Sequence, residues 1–344
     1  MKNLIIPVAG QSSRYKTQRP KWLLTMPNGK LMIEESLAAL ETSNFDRIIV
    51  VALRDHVQQF TSESVLLDTL GNSFDSSLEL IQLDSPTKSQ AETISVALNM
   101  ASVHGNFFVK DCDNSFKYEY QGGNVVCTMD LHAVGTINAA NKSYVQTDPL
   151  GVIRNIIEKR VISNQFCCGG YGFDSVQEFQ FSYDILKNHK DLYLSHIIFQ
   201  MIASGQAFKA EETTDYFDWG TQEDFEKYCD GFRSIFCDLD GVIFKNSSKF
   251  SPNGWTYEPI LENIQAIKGL ANTRLIITTA RPAKFKNEIR HFLEKNGLHP
   301  TEIITDLPHA RRFLINDYAP SNPYPSAVAI NIPRNSPELN DLLK

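Results

Sequence analysis

The chain has 344 residues, 42% hydrophobic and 21% charged, with 33 basic against 40 acidic side chains and a net charge of −7. This composition excludes a largely disordered chain, and the length calls for two compact units of roughly 100–200 residues each. The acidic balance excludes a general attraction to nucleic acid or an anionic membrane, so any phosphate ligand needs a local site.

The first predicted element is a strand over 4–9, which runs into the polar turn Gly10-Gln11-Ser12-Ser13-Arg14. An amphipathic helix over 32–40, strands over 47–53 and 78–83, a helix over 91–100 and strands over 106–110 and 124–129 follow. Apolar strands alternating with amphipathic helices predict an α/β fold, a mostly parallel sheet with helices on both faces. A second strand, 234–237, enters an equally polar turn, Asp238-Leu239-Asp240-Gly241. After it come a helix over 259–270, a strand over 274–278, a helix over 283–296, strands over 313–315 and 327–330 and a short terminal helix over 336–344. The boundary is placed near 228–232, giving domains 1–230 and 231–344. No run of about 18 apolar residues predicts membrane insertion, and the N-terminal residues lack the apolar stretch of a signal peptide. The six cysteines have no C-x-x-C spacing, which argues against a zinc cage and suits reduced thiols in the cytoplasm.

A strand ending in Gly-x-x-x-Arg gathers backbone N–H groups and one guanidinium around a small space, an arrangement suited to a triphosphate. Lys21, behind the rigid Pro20, can reach the same phosphates as a point charge. The segment resembles the opening of the sugar-phosphate nucleotidyltransferases, Gly-x-Gly-x-Arg then Pro-Lys-x-Leu, with Ser12 in place of the second glycine. Four later segments resemble that family in the family's order. They are Ser89-Gln90-Ala91-Glu92-Thr93, then Lys110-Asp111-Cys112-Asp113-Asn114, then Glu158-Lys159 with Ser163-Asn164 and Gly169-Gly170-Tyr171-Gly172-Phe173, and finally Phe217-Asp218-Trp219-Gly220-Thr221.

The resemblance implies a Rossmann-like mixed sheet that transfers a nucleotidyl group to a phosphate monoester and expels pyrophosphate. Bringing two anions together requires their charges to be neutralised, and magnesium held by one or two carboxylates does part of this. The implied metal ligands are Asp113 and Asp218, with Asp111 in reserve because it shares a strand end with Asp113. Ala9, Gly10, Gln11, Ser12 and Ser13, with Gln90 and Glu92 at the base-reading turn, are the implied nucleotide contacts. Arg14 and Lys21 would stabilise charge on the phosphates; Glu158, Lys159 and Gly170 would hold the acceptor. The compact first domain resembles phosphocholine cytidylyltransferases, which favours CTP among the triphosphates. A choline acceptor would need rings, for which Tyr171, Phe173 and Trp219 are the candidates, so a sugar or polyol phosphate is the safer expectation.

The second domain resembles the haloacid dehalogenase superfamily in its Asp-x-Asp-Gly start. An aspartate at a strand end can attack phosphorus, and a second two residues on can serve as acid and base, roles that fall to Asp238 and Asp240. Thr279, in Thr278-Thr279-Ala280-Arg281, is the implied phosphate-touching hydroxyl. Only 38 positions separate it from Asp240, so a smaller, capless Rossmann-like domain is expected. Asp317 would complete a magnesium site with Asp238 and the Asp240 backbone carbonyl, while the family's screening lysine is missing and Lys284 or Lys286 stands as a substitute. The expectation is therefore a bifunctional cytoplasmic enzyme supplying activated sugars for surface-glycan assembly, with a phosphatase whose electrostatic support is impaired. One rival is a small-molecule phosphatase with a nucleotide-sensing first domain; another is a non-enzymatic assembly protein. The oligomeric state, a homo-oligomer included, is left open.

Overall fold

A computed structural model describes residues 2–10, 19–74, 76–134, 138–317 and 327–343. The chain divides into two units, Met1–Glu226 and Lys227–Lys344, a division four residues before the expected boundary.

In the first unit, β1 (Asn3–Val8), α1 (Met32–Ala38), β2 (Arg47–Leu53), α2 (Arg54–Phe60), α3 (Glu63–Gly71), β3 (Ser77–Leu83), α4 (Gln90–Met100) and β4 (Phe107–Lys110) come first. They build the parallel half of the sheet, ordered β4-β1-β2-β3. The apolar runs Leu4-Ile5-Ile6 and Ile48-Ile49-Val50 are buried on both faces, as central parallel strands must be. Because successive side chains alternate, Ile5, Ile49 and Phe107 enter one core while Leu4, Ile6, Ile48, Val50 and Phe108 enter the other. Ser89 caps α4 by accepting the Glu92 N–H at 3.2 Å, and Ala91, Ile94, Ala97 and Leu98 form the face it buries.

The rest of the unit departs from the expected parallel pattern. It comprises β5 (Asn114–Lys117), β6 (Val125–Asp130), β7 (Ser143–Thr147), β8 (Ile153–Glu158), β9 (Gln165–Phe173), α5 (Val176–Leu186), α6 (Leu194–Ala203), β10 (Lys209–Glu212) and β11 (Thr214–Asp218). Strand β9 runs antiparallel to β4 and β6, and β7 joins β9 to β8, so the sheet is mixed. Antiparallel β5 and β11 form a separate two-stranded ribbon. Helix α7 (Gln222–Asp230) contains the division between the units.

The second unit holds three parallel strands in the order β12 (Arg233–Asp238), β13 (Thr273–Thr278), β14 (Glu302–Ile304), with α8 (Leu261–Lys268), α9 (Lys286–Lys295) and α10 (Leu339–Leu342). Leu239, Ile243, Phe244, Ile264, Ile277, Ile289 and Leu293 form its core. The strands expected over 313–315 and 327–330 are absent; Phe313, Leu314 and Ile315 are 77%, 59% and 91% exposed. An apolar run of three residues does not offset the cost of ordering its backbone without a ladder partner. Glu302-Ile303-Ile304 is no more apolar, but it pairs with β13 and becomes the strand.

Candidate active site

Pro20 leads into a single 3-10 turn, Lys21–Leu23, whose Trp22 and Leu23 are buried. That packing leaves Lys21 facing the Asp113 carboxylate, with which it forms an ion pair. Asp113 lies in the turn between β4 and β5. Beneath this turn the fully buried Lys110 ammonium donates to the Asp111 carbonyl at 2.6 Å, the Asn114 carbonyl at 2.8 Å and Asn114 Oδ1 at 2.6 Å. The ammonium also sits 4.6 Å above the Phe116 ring. Burial pushes Lys110 down to about 8, against the pull of Asp111 and Asp113. The Asp111 carboxyl is raised, first by burial and then by the Asp113 charge, and accepts from the Gln90 amide.

Strand β11 delivers the second carboxylate. Asp218 pairs with Asn114, and the Trp219 N–H donates to the Asp113 carbonyl at 2.8 Å, so Asp113, just before β5, lies beside Asp218 at the end of β11. Lys142 Nζ lies 2.5 Å from Asp218 Oδ2 and donates to the Tyr216 hydroxyl at 2.8 Å. Further along, Glu158 accepts from the hydroxyls of Ser143 and Ser195, the latter at 2.9 Å. Lys159 has a left-handed backbone, φ 55°, and its N–H donates to the Lys142 carbonyl at 3.0 Å. Its ammonium donates to the Tyr193 hydroxyl at 2.5 Å, 4.3 Å from that ring's centroid. A non-glycine residue held at such a φ is a cost that functional sites commonly carry.

Gly10, Lys21, Gln90, Asp113, Glu158, Lys159 and Asp218 thus line one cavity of about 770 Å³, with the reserve Asp111. Gln11, Ser12, Ser13 and Arg14 lie outside the described residues. Three expected contacts are placed elsewhere. Ala9 is fully buried behind Gly10, and Glu92 turns its carboxylate back onto the Lys88 N–H as part of the helix cap. Gly170 faces the core, where a Cβ would meet Phe116 at 2.7 Å and both Cys127 and Phe108 at 2.9 Å. Its neighbour Gly169 borders the cavity, at φ 87° and against Asp111 and Asn114. Lys142, Ser143, Tyr193, Ser195 and Tyr216 line the cavity without having been expected. They belong to no motif; the pairing of β7 and β11 and the start of α6 bring them there.

The Asp113 and Asp218 carboxylates fit a divalent cation. They occupy neighbouring positions, Asp113 already raises the Asp111 carboxyl by repulsion, and magnesium needs few protein oxygens. In the second unit the Asp240 carboxylate is engaged by other side chains. Asp240 accepts from Arg281 Nη2 at 2.7 Å, from Arg281 Nε at 3.1 and 3.2 Å and from the Thr279 hydroxyl at 3.0 Å. Arg281 is fully buried, held between Trp255 and Tyr257 at 4.9 and 4.6 Å, and donates to the Thr256 carbonyl at 2.7 Å. Asp238, raised by burial against the pull of Arg312, lies 3.1 Å from the Arg312 guanidinium. Asp317 is on an exposed stretch. Among the described residues of either unit no three His, Cys, Asp or Glu side chains gather as a metal site, so a cation at Asp113 and Asp218 would take its remaining oxygens from water and phosphate. The cation beside Asp238 is Arg312 rather than the expected Lys284 or Lys286; Lys286 pairs with Glu302 at 2.6 Å.

Residues 4–118 match the family model described as MobA-like NTP transferase domain, about a third of the chain. Among solved structures, a nucleoside-diphosphate-sugar pyrophosphorylase from Vibrio cholerae RC9 superposes with TM-score 0.56 at 17% identity, covering 66% of this chain and 99% of that one. An inositol-1-phosphate CTP transferase from T. maritima superposes with TM-score 0.52 at 14% identity, covering 66% and 94%. No curated protein matches the sequence. The chain therefore carries a nucleotidyltransferase fold. No helix among the described residues is long and apolar enough to cross a membrane.

Proposed function

We propose that the first unit transfers a nucleotidyl group from a nucleoside triphosphate to a sugar or polyol phosphate, releasing pyrophosphate. The observation that carries this reading is the convergence of Lys21, Asp113 and Asp218 with Glu158 and Lys159 in one cavity. At about 770 Å³ the cavity is large enough for two small substrates together. Lys21 and Lys142 supply positive charge at the phosphate end, and the exposed Lys159 supplies it at the acceptor end. Glu158, oriented by Ser143 and Ser195, is placed to accept hydrogen bonds from acceptor hydroxyls. Magnesium, when bound by Asp113 and Asp218, would neutralise charge on the reacting phosphates.

A phosphocholine acceptor is disfavoured. Phe173 and Trp219 are fully buried and Tyr171, at the cavity wall, is only 8% exposed, while Tyr193 and Tyr216 already have Lys159 and Lys142 over their rings at 4.3 and 5.4 Å. A quaternary ammonium at either ring would meet a like charge. CTP remains the preferred triphosphate by resemblance. Purified protein with magnesium, each triphosphate and a panel of sugar and polyol phosphates should release pyrophosphate. Asp113→Ala and Asp218→Ala should each lower kcat by about 100-fold or more. No release from the whole panel would sink the reading.

For the second unit we propose phosphate-ester recognition centred on Asp238, which stands at the end of β12 with 37% of its side chain exposed. The Asp240–Arg281 clamp opposes a phosphatase, because the expected acid and base is held by a buried guanidinium. Binding of an aryl phosphate, read by calorimetric titration, should change in Asp238→Asn; unchanged affinity would remove Asp238 from that role.

A further inference from the structure

Two cavity carboxylates that suit a divalent cation are each occupied by a lysine. Lys21 holds Asp113, and Lys142 holds Asp218 at 2.5 Å. All four side chains are largely withdrawn from water, with exposures of 17% and 16% in the first pair and 14% and 11% in the second. The Trp219 N–H bonded to the Asp113 carbonyl at 2.8 Å keeps the two pairs on adjoining strands. Two ammonium groups carry the same charge as one divalent cation, so exchanging one for the other leaves the charge of this wall unchanged.

We propose that Lys142, together with Lys21, is a placeholder that keeps Asp113 and Asp218 paired until a divalent cation arrives with a triphosphate, and then moves its charge onto the phosphates. The inference rests on the nucleotidyl-transfer reading of the cavity. A cation binding alone must displace two buried ammonium groups, which would then face it as unpaired like charges. A triphosphate supplies the anions that the released lysines need, so cation and triphosphate favour each other's binding, and they do so reciprocally. The Tyr216 hydroxyl, 2.8 Å from Lys142 Nζ, gives that ammonium a second partner when Asp218 is withdrawn. The lysine on the other side is fixed by the turn at Pro20, whereas Lys142 enters from the start of β7 and belongs to no motif. Lys142 is thus a positioning residue for Asp218, and it tunes the order in which ligands enter.

The test measures Mn2+ binding without nucleotide, by the loss of the free-ion paramagnetic resonance signal, in full-length wild type, Lys142→Met and Lys142→Gln. Removing the competing ammonium should tighten Mn2+ binding by roughly tenfold in both variants, a gain that structural damage would not produce. Adding Asp218→Asn to either variant should abolish the gain. Addition of triphosphate should then tighten Mn2+ binding less in the variants than in wild type. Equal or weaker Mn2+ affinity in both Lys142 variants overturns the exchange. If wild type still releases pyrophosphate in that case, only the placeholder role falls. If it releases none from the full panel, the reading beneath it falls as well.

Discussion

Lys110 sends three hydrogen bonds into the turn that carries Asp111 and Asp113, from a position with no exposed surface. Its stem fills core space below the cavity and its charge offsets the acidic turn above. The folded value of about 8 lies below the unfolded value of about 10.4, so the group's stabilising contribution is complete above about pH 10.4 and lost as pH falls to about 8. Lys110→Met should remove this dependence. The stability gap between wild type and variant should therefore widen, by up to about 3 kcal/mol, as pH rises from about 8 to about 10. Urea unfolding of both proteins at the two ends of that window measures it. Comparing the two proteins cancels the tyrosines and cysteines, whose raised values act in the opposite direction. A gap that stays constant would show that Lys110 keeps the same protonation state across the window.

Strand β9 shows why part of the architecture was legible in the sequence and part was not. β1, β2 and β4 are continuous Ile, Val, Leu and Phe runs, the pattern that burial on both faces demands, and each was expected within a residue or two of its place. β9 carries Gly169, Gly170 and Gly172 and was not among the expected strands, yet glycine is there because neighbouring side chains crowd the backbone. A Cβ on Gly172 would lie 2.5 Å from Tyr120, 2.7 Å from Val125 and 2.8 Å from the Gly123 carbonyl. Gly172→Ala should therefore cost about 1–3 kcal/mol by overpacking. Gly71→Ala, where a Cβ meets nothing within 4 Å, should be neutral or slightly stabilising. Chemical denaturation of the pair decides the point, since equal losses would mean that crowding is not what selects glycine in β9. The cavity divides in the same way. Lys21, Asp113, Glu158, Lys159 and Asp218 stand in ordered motifs, but Lys142 and Tyr193 arrive only through the β7–β8 pairing and the start of α6. No local pattern in the sequence encodes those two positions.

At the scale of the whole molecule, the cores are built from separate stretches of chain. The two cores of the first unit use residues from Leu4 to Tyr216, and that of the second uses residues from Ile235 to Leu343. A chain with two such units need not unfold as one two-state system. Calorimetry should resolve two transitions, and substitutions placed in one core should move only its own. In the second unit the sensitive position is Asp240. Its carboxylate is the charge partner of the fully buried Arg281, so Asp240→Asn leaves a guanidinium uncompensated at a cost of about 3–5 kcal/mol. That unit's transition should fall by about 10 °C or more. Asp238→Asn is the contrast, because Asp238 and Arg312 are 37% and 48% exposed and their pairing is worth about 1 kcal/mol or less. Gly172→Ala should lower the first unit's transition and leave the second where it was. If Asp240→Asn and Gly172→Ala shift one shared transition, the units unfold together and the separate cores do not set the cooperativity. If Asp238→Asn proves as damaging as Asp240→Asn, the buried clamp is not what holds the end of β12 and the Thr279 loop in place.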